Sequence, residues 1–102
     1  MNTSYKKGTE AVWAGDENNN TNGATTTPII NSVTFAYKDL DEWYDVSKGN
    51  KPGYIYSRNT NPTVSALEEK ICVLENAEAA TSFATGMAAI SNSNATINHV
   101  VL

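Results

Sequence analysis

The chain is 102 residues long and 40% apolar, and seven Lys and Arg against eleven Asp and Glu leave a net charge of −4. That is the size of one small domain, and its acidic balance argues against a nucleic-acid module, which carries a basic patch, and against a polybasic lipid-binding surface. A single cysteine, Cys72, and a single histidine, His99, exclude an internal disulfide, a cysteine cage and a multi-histidine metal site within this chain.

The first eight residues hold Lys6 and Lys7 with no apolar core behind them, unlike a secretory signal. No run approaches the ~18 apolar residues of a membrane span, so the expectation is a cytoplasmic protein with neither membrane nor nucleic-acid partners. Residues 16–27, DENNNTNGATTT, have one apolar side chain and no periodicity, which predicts an exposed loop or extended arm. Pro28 biases Thr27 away from helix. Ile29-Ile30 and Val33-Thr34-Phe35 are β-prone but short, residues 39–43 suit one helical turn, and residues 48–52 make a turn by composition. Little of this can fold without help. Residues 1–60 therefore read as an extended N-terminal arm that packs on something else.

The second half is more regular. Asn61-Pro62 is a helix start, with Asn accepting from orphan amides and Pro fitting the first turn. Val64, Leu67, Ile71 and Leu74 recur at helical spacing as an amphipathic stripe, with Glu68, Glu69, Lys70 and Glu75 mostly off it. Asn76 suits a left-handed stop. Residues 79–83, AATSF, read as a short buried strand, Met87-Ala88-Ala89-Ile90 as the opening of a further helix, and His99-Val100-Val101-Leu102 as a strand. Between the last two, residues 91–98 are rich in Ser and Asn, which compete with the helical backbone.

Two motifs carry possible chemistry. Ala84-Thr85-Gly86-Met87-Ala88-Ala89 lies at a strand-to-helix junction, where the Gly86 and Met87 amides can hold a phosphate without a basic side chain. The competing reading is a tight turn chosen for packing. Tyr54, Tyr56 and Arg58 share one face if their run is extended, and Tyr56 with Arg58 then makes an oxyanion grip of one phenol and one planar fork. The competing reading has the tyrosines packed under a loop and Arg58 paired with a surface carboxylate. Cys72 reads as a buried, inert thiol, Trp13 and Trp43 as packing residues, and Ser57 and Ser82 as hydroxyls without a local base. The Asn94-Ala95-Thr96 sequon has no meaning without secretion.

Together, Tyr56-Ser57-Arg58-Asn59-Thr60-Asn61-Pro62-Thr63, Leu67-Glu68, Leu74-Glu75 and Thr85-Gly86-Met87-Ala88-Ala89-Ile90 resemble the N-terminal part of the Cys/Met-metabolism, or trans-sulfuration, family of pyridoxal-phosphate enzymes. That family includes cystathionine γ-synthase, methionine γ-lyase and O-acetylhomoserine sulfhydrylase. Residues 9–15 and the Thr27-Pro28-Ile29-Ile30 run through Phe35 are similar to the family's arm, although Trp13 stands where the family often carries histidine. The resemblance implies an α/β fold: an N-terminal arm over residues 1–60, then, over residues 61–102, the first helix–strand–helix elements of a fold-type I large domain.

It also implies pyridoxal 5'-phosphate as cofactor. Gly86 and Met87 would hold the phosphate through their amides, and Tyr56 and Arg58 would reach the cofactor of a neighbouring subunit. The partners implied are an amino-acid substrate and further copies of the chain, as a dimer of dimers. The reaction implied is γ-elimination or γ-replacement on a sulfur amino acid or an activated homoserine. The family's ring-stacking aromatic, pyridine-pairing aspartate and Schiff-base lysine have no counterpart here, so an N-terminal fragment that is inactive alone is expected. The alternative is a non-catalytic module that associates with a full-length relative.

Overall fold

The computed structural model describes residues 5–16, 21–93 and 99–101. In chain order the elements are α1 (Lys7–Trp13), α2 (Leu40–Ser47), α3 (Pro62–Glu75), β1 (Ala79–Thr81), α4 (Gly86–Ser93) and β2 (His99–Val101). The Asn94-Ala95-Thr96 sequon and residues 17–20 of the predicted loop lie outside the described residues.

Helix α3 is the backbone of the arrangement, and its ends follow from two asparagines. At the start, the Asn61 side chain accepts from the Thr63 and Val64 amides, and Pro62 opens the first turn. At the end, Asn76 adopts the left-handed conformation (φ 54°, ψ 41°), and the Ala77 amide returns to the Cys72 carbonyl at 2.9 Å. That bond satisfies a carbonyl the helix would leave open. The Cys72 thiol donates to the same residue, Ala77 O, at 2.8 Å, so it is engaged and half-buried rather than fully buried.

Beyond α3, strands β1 and β2 pair in parallel, Ala79 with His99 and Thr81 with Val101, and α4 lies between them in sequence. This β1–α4–β2 order is the unit from which parallel α/β sheets are built. The chain is thus α/β from residue 61 on. The predicted strand differs in burial, for Ala79 and Ala80 are half-buried and Thr81 is exposed. Helix α4 also runs through Ser91, Asn92 and Ser93, despite their poor propensity. The Asn92 side chain donates to the Ala88 carbonyl at 2.9 Å.

Between Lys7 and Ile30 a series of contacts follows α3 from its C-terminal to its N-terminal end. The Lys7 ammonium donates to the Leu74 and Val73 carbonyls at 2.8 and 3.2 Å, a cation at the negative pole of the helix. Gly15 crosses α3 so closely that a Cβ there would lie 2.0 Å from the Ala66 carbonyl oxygen, and its φ of +84° is one that side chains disfavour. Asp16 then accepts from Lys70 at 3.1 Å and from the Thr27 hydroxyl and amide at 2.6 and 3.0 Å. Thr63 closes the series, donating to Pro28 O at 3.0 Å and accepting from the Ile30 amide at 2.9 Å.

Within this arm, α1 and α2 are helical where sequence patterning indicated at most one turn. Asp39 caps α2 by accepting from the Glu42 amide at 2.8 Å. Val33-Thr34-Phe35 forms a single antiparallel bridge, Thr34 with Tyr56, and no strand.

Polar contacts dominate because little is buried. Among the described residues the buried apolar ones are Ala14, Ala66 and Ala89, and no large side chain is fully enclosed. The predicted stripe of α3 is covered over its second half only: Ile71 and Leu74 are half-buried while Val64 and Leu67 are exposed, and Lys70 beside it bonds to Asp16. Trp13 and Trp43 are likewise exposed, against the expectation of packing. The chain presents 7313 Å² to solvent, against about 5,600 Å² for a compact monomer of 11.0 kDa. Among the described residues no helix is long and apolar enough to cross a membrane.

The Asp16 contacts give arm docking a pH dependence. The Thr27 hydroxyl first, then the Thr27 amide and Lys70, hold the Asp16 carboxyl below its ordinary value. A lowered folded-state value means that the contribution is complete above the unfolded carboxyl range, about pH 4, and is lost as pH falls through the folded value. Asp16→Asn should therefore flatten the acid limb of stability below pH 4, read by denaturant unfolding, and leave the slope near neutrality unchanged.

Candidate anion-binding site

Arg58 is placed by a turn. The Phe35 amide donates to Ile55 O at 3.3 Å and the Ser57 amide to Val33 O at 2.8 Å, and the chain then folds back, with the Asn59 and Thr60 amides both donating to Tyr56 O. Extended geometry therefore stops at Tyr56, and the expectation that Tyr54, Tyr56 and Arg58 share a face by alternation is corrected. Tyr54 packs on Phe35, ring centroids 5.7 Å apart, while its backbone amide and carbonyl are both bonded by the Tyr37 hydroxyl. The turn instead lays the Arg58 guanidinium over the Tyr56 ring, 5.3 Å from its centroid, a cation–π distance. Among the described residues the ion pairs are Lys7–Glu10 and Lys70–Asp16, so Arg58 has no carboxylate partner there.

The second motif sits at the start of α4. The Thr85 hydroxyl accepts from the Ala88 amide at 3.2 Å and the Thr85 carbonyl from the Ala89 amide at 3.2 Å, which makes Thr85 the N-cap. The Gly86 and Met87 amides occupy the first two helical positions and have no acceptor among the described residues. A Cβ at Gly86 would meet nothing within 4 Å. Packing inside this chain therefore does not call for glycine at that position, whereas close approach of an anion to the backbone does.

A cleft of about 420 Å³ joins the two motifs. Val64, Ser65 and Glu68 of α3 and its cap Asn61 line it, together with the Arg58 turn on one side and residues 81–84 on the other. Arg58 and the loop that runs into Gly86 are thus brought together. Tyr56 does not line the cleft but backs Arg58, and Gly86 and Met87 follow two and three residues after Ala84, the last lining residue.

Two contributors were not legible as such. Glu68 looks like a solvated-face residue in the sequence, yet its Oε1 accepts from both the amide and the hydroxyl of Ser82, each at 2.8 Å. Ser82 was expected to lack a local base and in fact has a carboxylate beside it. Asn61 was read as a cap only, but its amide nitrogen also donates to Ile30 O and Ser57 Oγ, both at 3.0 Å. The Thr85 cap did have a signal, a threonine immediately before Gly86 and a helical run.

The family model for Cys/Met metabolism PLP-dependent enzymes matches residues 8–100. The chain belongs to this family. It is 34% identical over 94 residues to an L-methionine gamma-lyase of Pseudomonas deceptionensis, covering 89% of this chain and 24% of that protein. An L-methionine gamma-lyase of Fusobacterium nucleatum subsp. polymorphum is 38% identical over 101 residues, 95% of this chain and 25% of that protein. A chloroplastic mimosinase of Leucaena leucocephala is 44% identical over 68 residues, 67% of this chain and 14% of that protein. The chain spans about a quarter of the length of the two lyases. Pyridoxal phosphate is the cofactor of this family. Among the described residues, Gly86 and Met87 amides without an acceptor, open space at Gly86 and an Arg58 without a carboxylate partner are donors of the kind a phosphate group takes.

Asn61→Ala should remove both the helix cap and the acceptor's partner at Ile30 O, at a combined cost on the order of 2–3 kcal/mol. Asn61→Ser keeps the cap and should lose only part of this. Denaturant unfolding of the two variants beside Asn59→Ala, an exposed neighbour, checks the order.

Proposed function

We propose that the chain provides the arm (residues 1–60) and the opening of the pyridoxal-phosphate-binding α/β domain (residues 61–102) of a fold-type I enzyme. The reaction we assign to that enzyme is γ-elimination or γ-replacement on a sulfur amino acid or activated homoserine. Within it, the role of these residues is to hold the cofactor phosphate. One observation carries this reading: Arg58, without a carboxylate partner among the described residues, borders the same cleft as the loop leading to the Gly86 and Met87 amides.

The chemistry of the donors is matched to a phosphate monoester. The guanidinium offers a planar fork and cannot lose its charge near neutrality. The Tyr56 ring behind it restricts its orientation, and the Tyr56 hydroxyl adds a neutral donor. The two amides add a fixed pair of N–H groups with the partial positive charge of the helix terminus. When bound, pyridoxal phosphate serves as the electron sink for carbanions of an amino-acid substrate. The residues described here retain and orient it. No lysine lines the cleft, and Lys70 is committed to Asp16, so this chain alone is expected to bind without turnover.

Arg58 is exposed at the edge of the cleft, where it can serve this chain's own turn or, as the resemblance implies, the cofactor of a neighbouring subunit. The excess of exposed apolar surface supports assembly into a homo-oligomer, with a dimer of dimers the arrangement we infer. The same surface favours a second reading, a non-catalytic module that joins a longer family member. Co-purification with such a member, without phosphate affinity of its own, would favour that module.

In the chain as it stands, Arg58→Ala should weaken binding of pyridoxal 5'-phosphate by on the order of tenfold to a hundredfold, the worth of a charge-assisted hydrogen bond of about 1.5–3 kcal/mol. Lys51→Ala, in an exposed turn, should change it little. Equilibrium dialysis reads the affinity and sedimentation the subunit association, which falls in Arg58→Ala if the guanidinium acts across a boundary. Equal retention by the two variants would contradict the assignment of Tyr56 and Arg58.

A further inference from the structure

Residue Glu68 is left without a role by the phosphate grip, yet it lines the cleft and links α3 through two hydrogen bonds to the segment entering α4. We propose that Glu68 is a positioning residue for the anion-binding turn: a strut from α3 that fixes Ser82, and through it the Ser82–Thr85 approach to the Gly86 and Met87 amides. The inference rests on the phosphate reading for its purpose, but its geometry stands independently.

The argument starts from where backbone donors go at the end of β1. After Thr81 the chain leaves the parallel pair, so the Ser82 amide has no strand to donate to and needs another acceptor. Glu68 Oε1 supplies it at 2.8 Å and takes the Ser82 hydroxyl at 2.8 Å as well. Two donors from one residue on one oxygen fix the distance and the rotation of that residue. A carboxylate acceptor makes both bonds stronger than neutral ones. Glu68 lies seven residues after Asn61, two helical turns along the same face of α3, and that helix is itself pinned at both ends by Asn61 and Asn76. The strut therefore refers the loop to the most constrained element of the fold.

Downstream of Ser82 only three residues separate the strut from Gly86. Thr85 caps α4 through the Ala88 amide, which gives the helix start local order, and the Glu68–Ser82 bonds refer that start to α3. An anion bound by two backbone amides requires both to point at one place before it arrives, since ordering them on binding would cost affinity. Glu68 meets that requirement from outside the site. Its own charge is turned toward two donors, which limits the repulsion that a free carboxylate in the cleft would exert on a phosphate.

The test compares Glu68→Ala, Glu68→Gln and Ser82→Ala in the full chain, reading amide hydrogen exchange without ligand and titration with inorganic phosphate and with pyridoxal 5'-phosphate. Glutamine keeps an acceptor for the Ser82 amide and a donor for its hydroxyl. Glu68→Ala should speed exchange at Ser82 by on the order of tenfold or more, leave the α3 amides protected, and weaken phosphate binding about tenfold. Glu68→Gln should restore most of both, and Ser82→Ala, which retains the amide bond, should fall between. Exchange at Ser82 in Glu68→Ala within twofold of the parent, or no recovery in Glu68→Gln, would overturn the strut. If exchange responds as stated but the parent chain binds neither probe, the strut is supported and the phosphate reading is the one that fails.

Discussion

The side-chain amide of Asn61 is the point on which the arrangement turns. Its oxygen accepts from the Thr63 and Val64 amides, and its nitrogen donates to Ile30 O and Ser57 Oγ, which exhausts the four hydrogen bonds that such a group can make. It is the buried polar residue among those described, 7% exposed. One saturated group thus starts α3, fastens the arm to it and holds the Arg58 turn beside it. A carboxylate in its place could cap the helix but would meet the Ile30 carbonyl with the wrong sign. Alanine could do neither job.

Around that hub the molecule relies on direction more than on volume. With alanines as its buried apolar residues, hydrophobic burial within the chain is small. Polar contacts of high specificity take over the placement of segments: Lys7 at the end of α3, Asp16 between Thr27 and Lys70, Thr63 under Pro28 and Ile30. Individually such bonds add little net stability, and leaving them unmade is costly. They therefore specify one arrangement without strongly driving it, and the large apolar side chains left on the surface, Leu40, Ile29 and Met87 among them, are consistent with a chain that completes its burial by assembly.

The legibility of the fold followed the range of the forces involved. Both ends of α3 could be read from Asn61-Pro62 and Asn76, because capping is decided within three or four residues. The strand segments at 79–83 and 99–102 and the start of α4 were visible from local composition, whereas the parallel pairing of Ala79–Thr81 with His99–Val101 spans 20 residues and was not. Helix α1 was not, since its anchoring Lys7 contacts Leu74 and Val73, 66 to 67 residues away. Of the stripe Val64, Leu67, Ile71 and Leu74 only the last two are half-buried, because periodicity reports amphipathicity and not how much of a face the rest of the chain covers. In the site, Arg58 and Gly86 were visible as residue types suited to phosphate. The cation–π stacking came from a turn that alternation cannot foresee. The Glu68–Ser82 link joins residues on different elements, and no local pattern marks it.

The central claim is that the start of α4 and the Arg58 turn serve one anion. Its most direct test is a titration of the isotopically labelled chain with inorganic phosphate, following the backbone amides and the Arg58 side chain together by NMR. The account predicts that the Gly86 and Met87 amides and the Arg58 guanidinium shift on a single saturating curve with one dissociation constant. Shifts confined to exposed lysines such as Lys38, Lys48 and Lys51, with the Gly86 and Met87 amides unmoved, would contradict it.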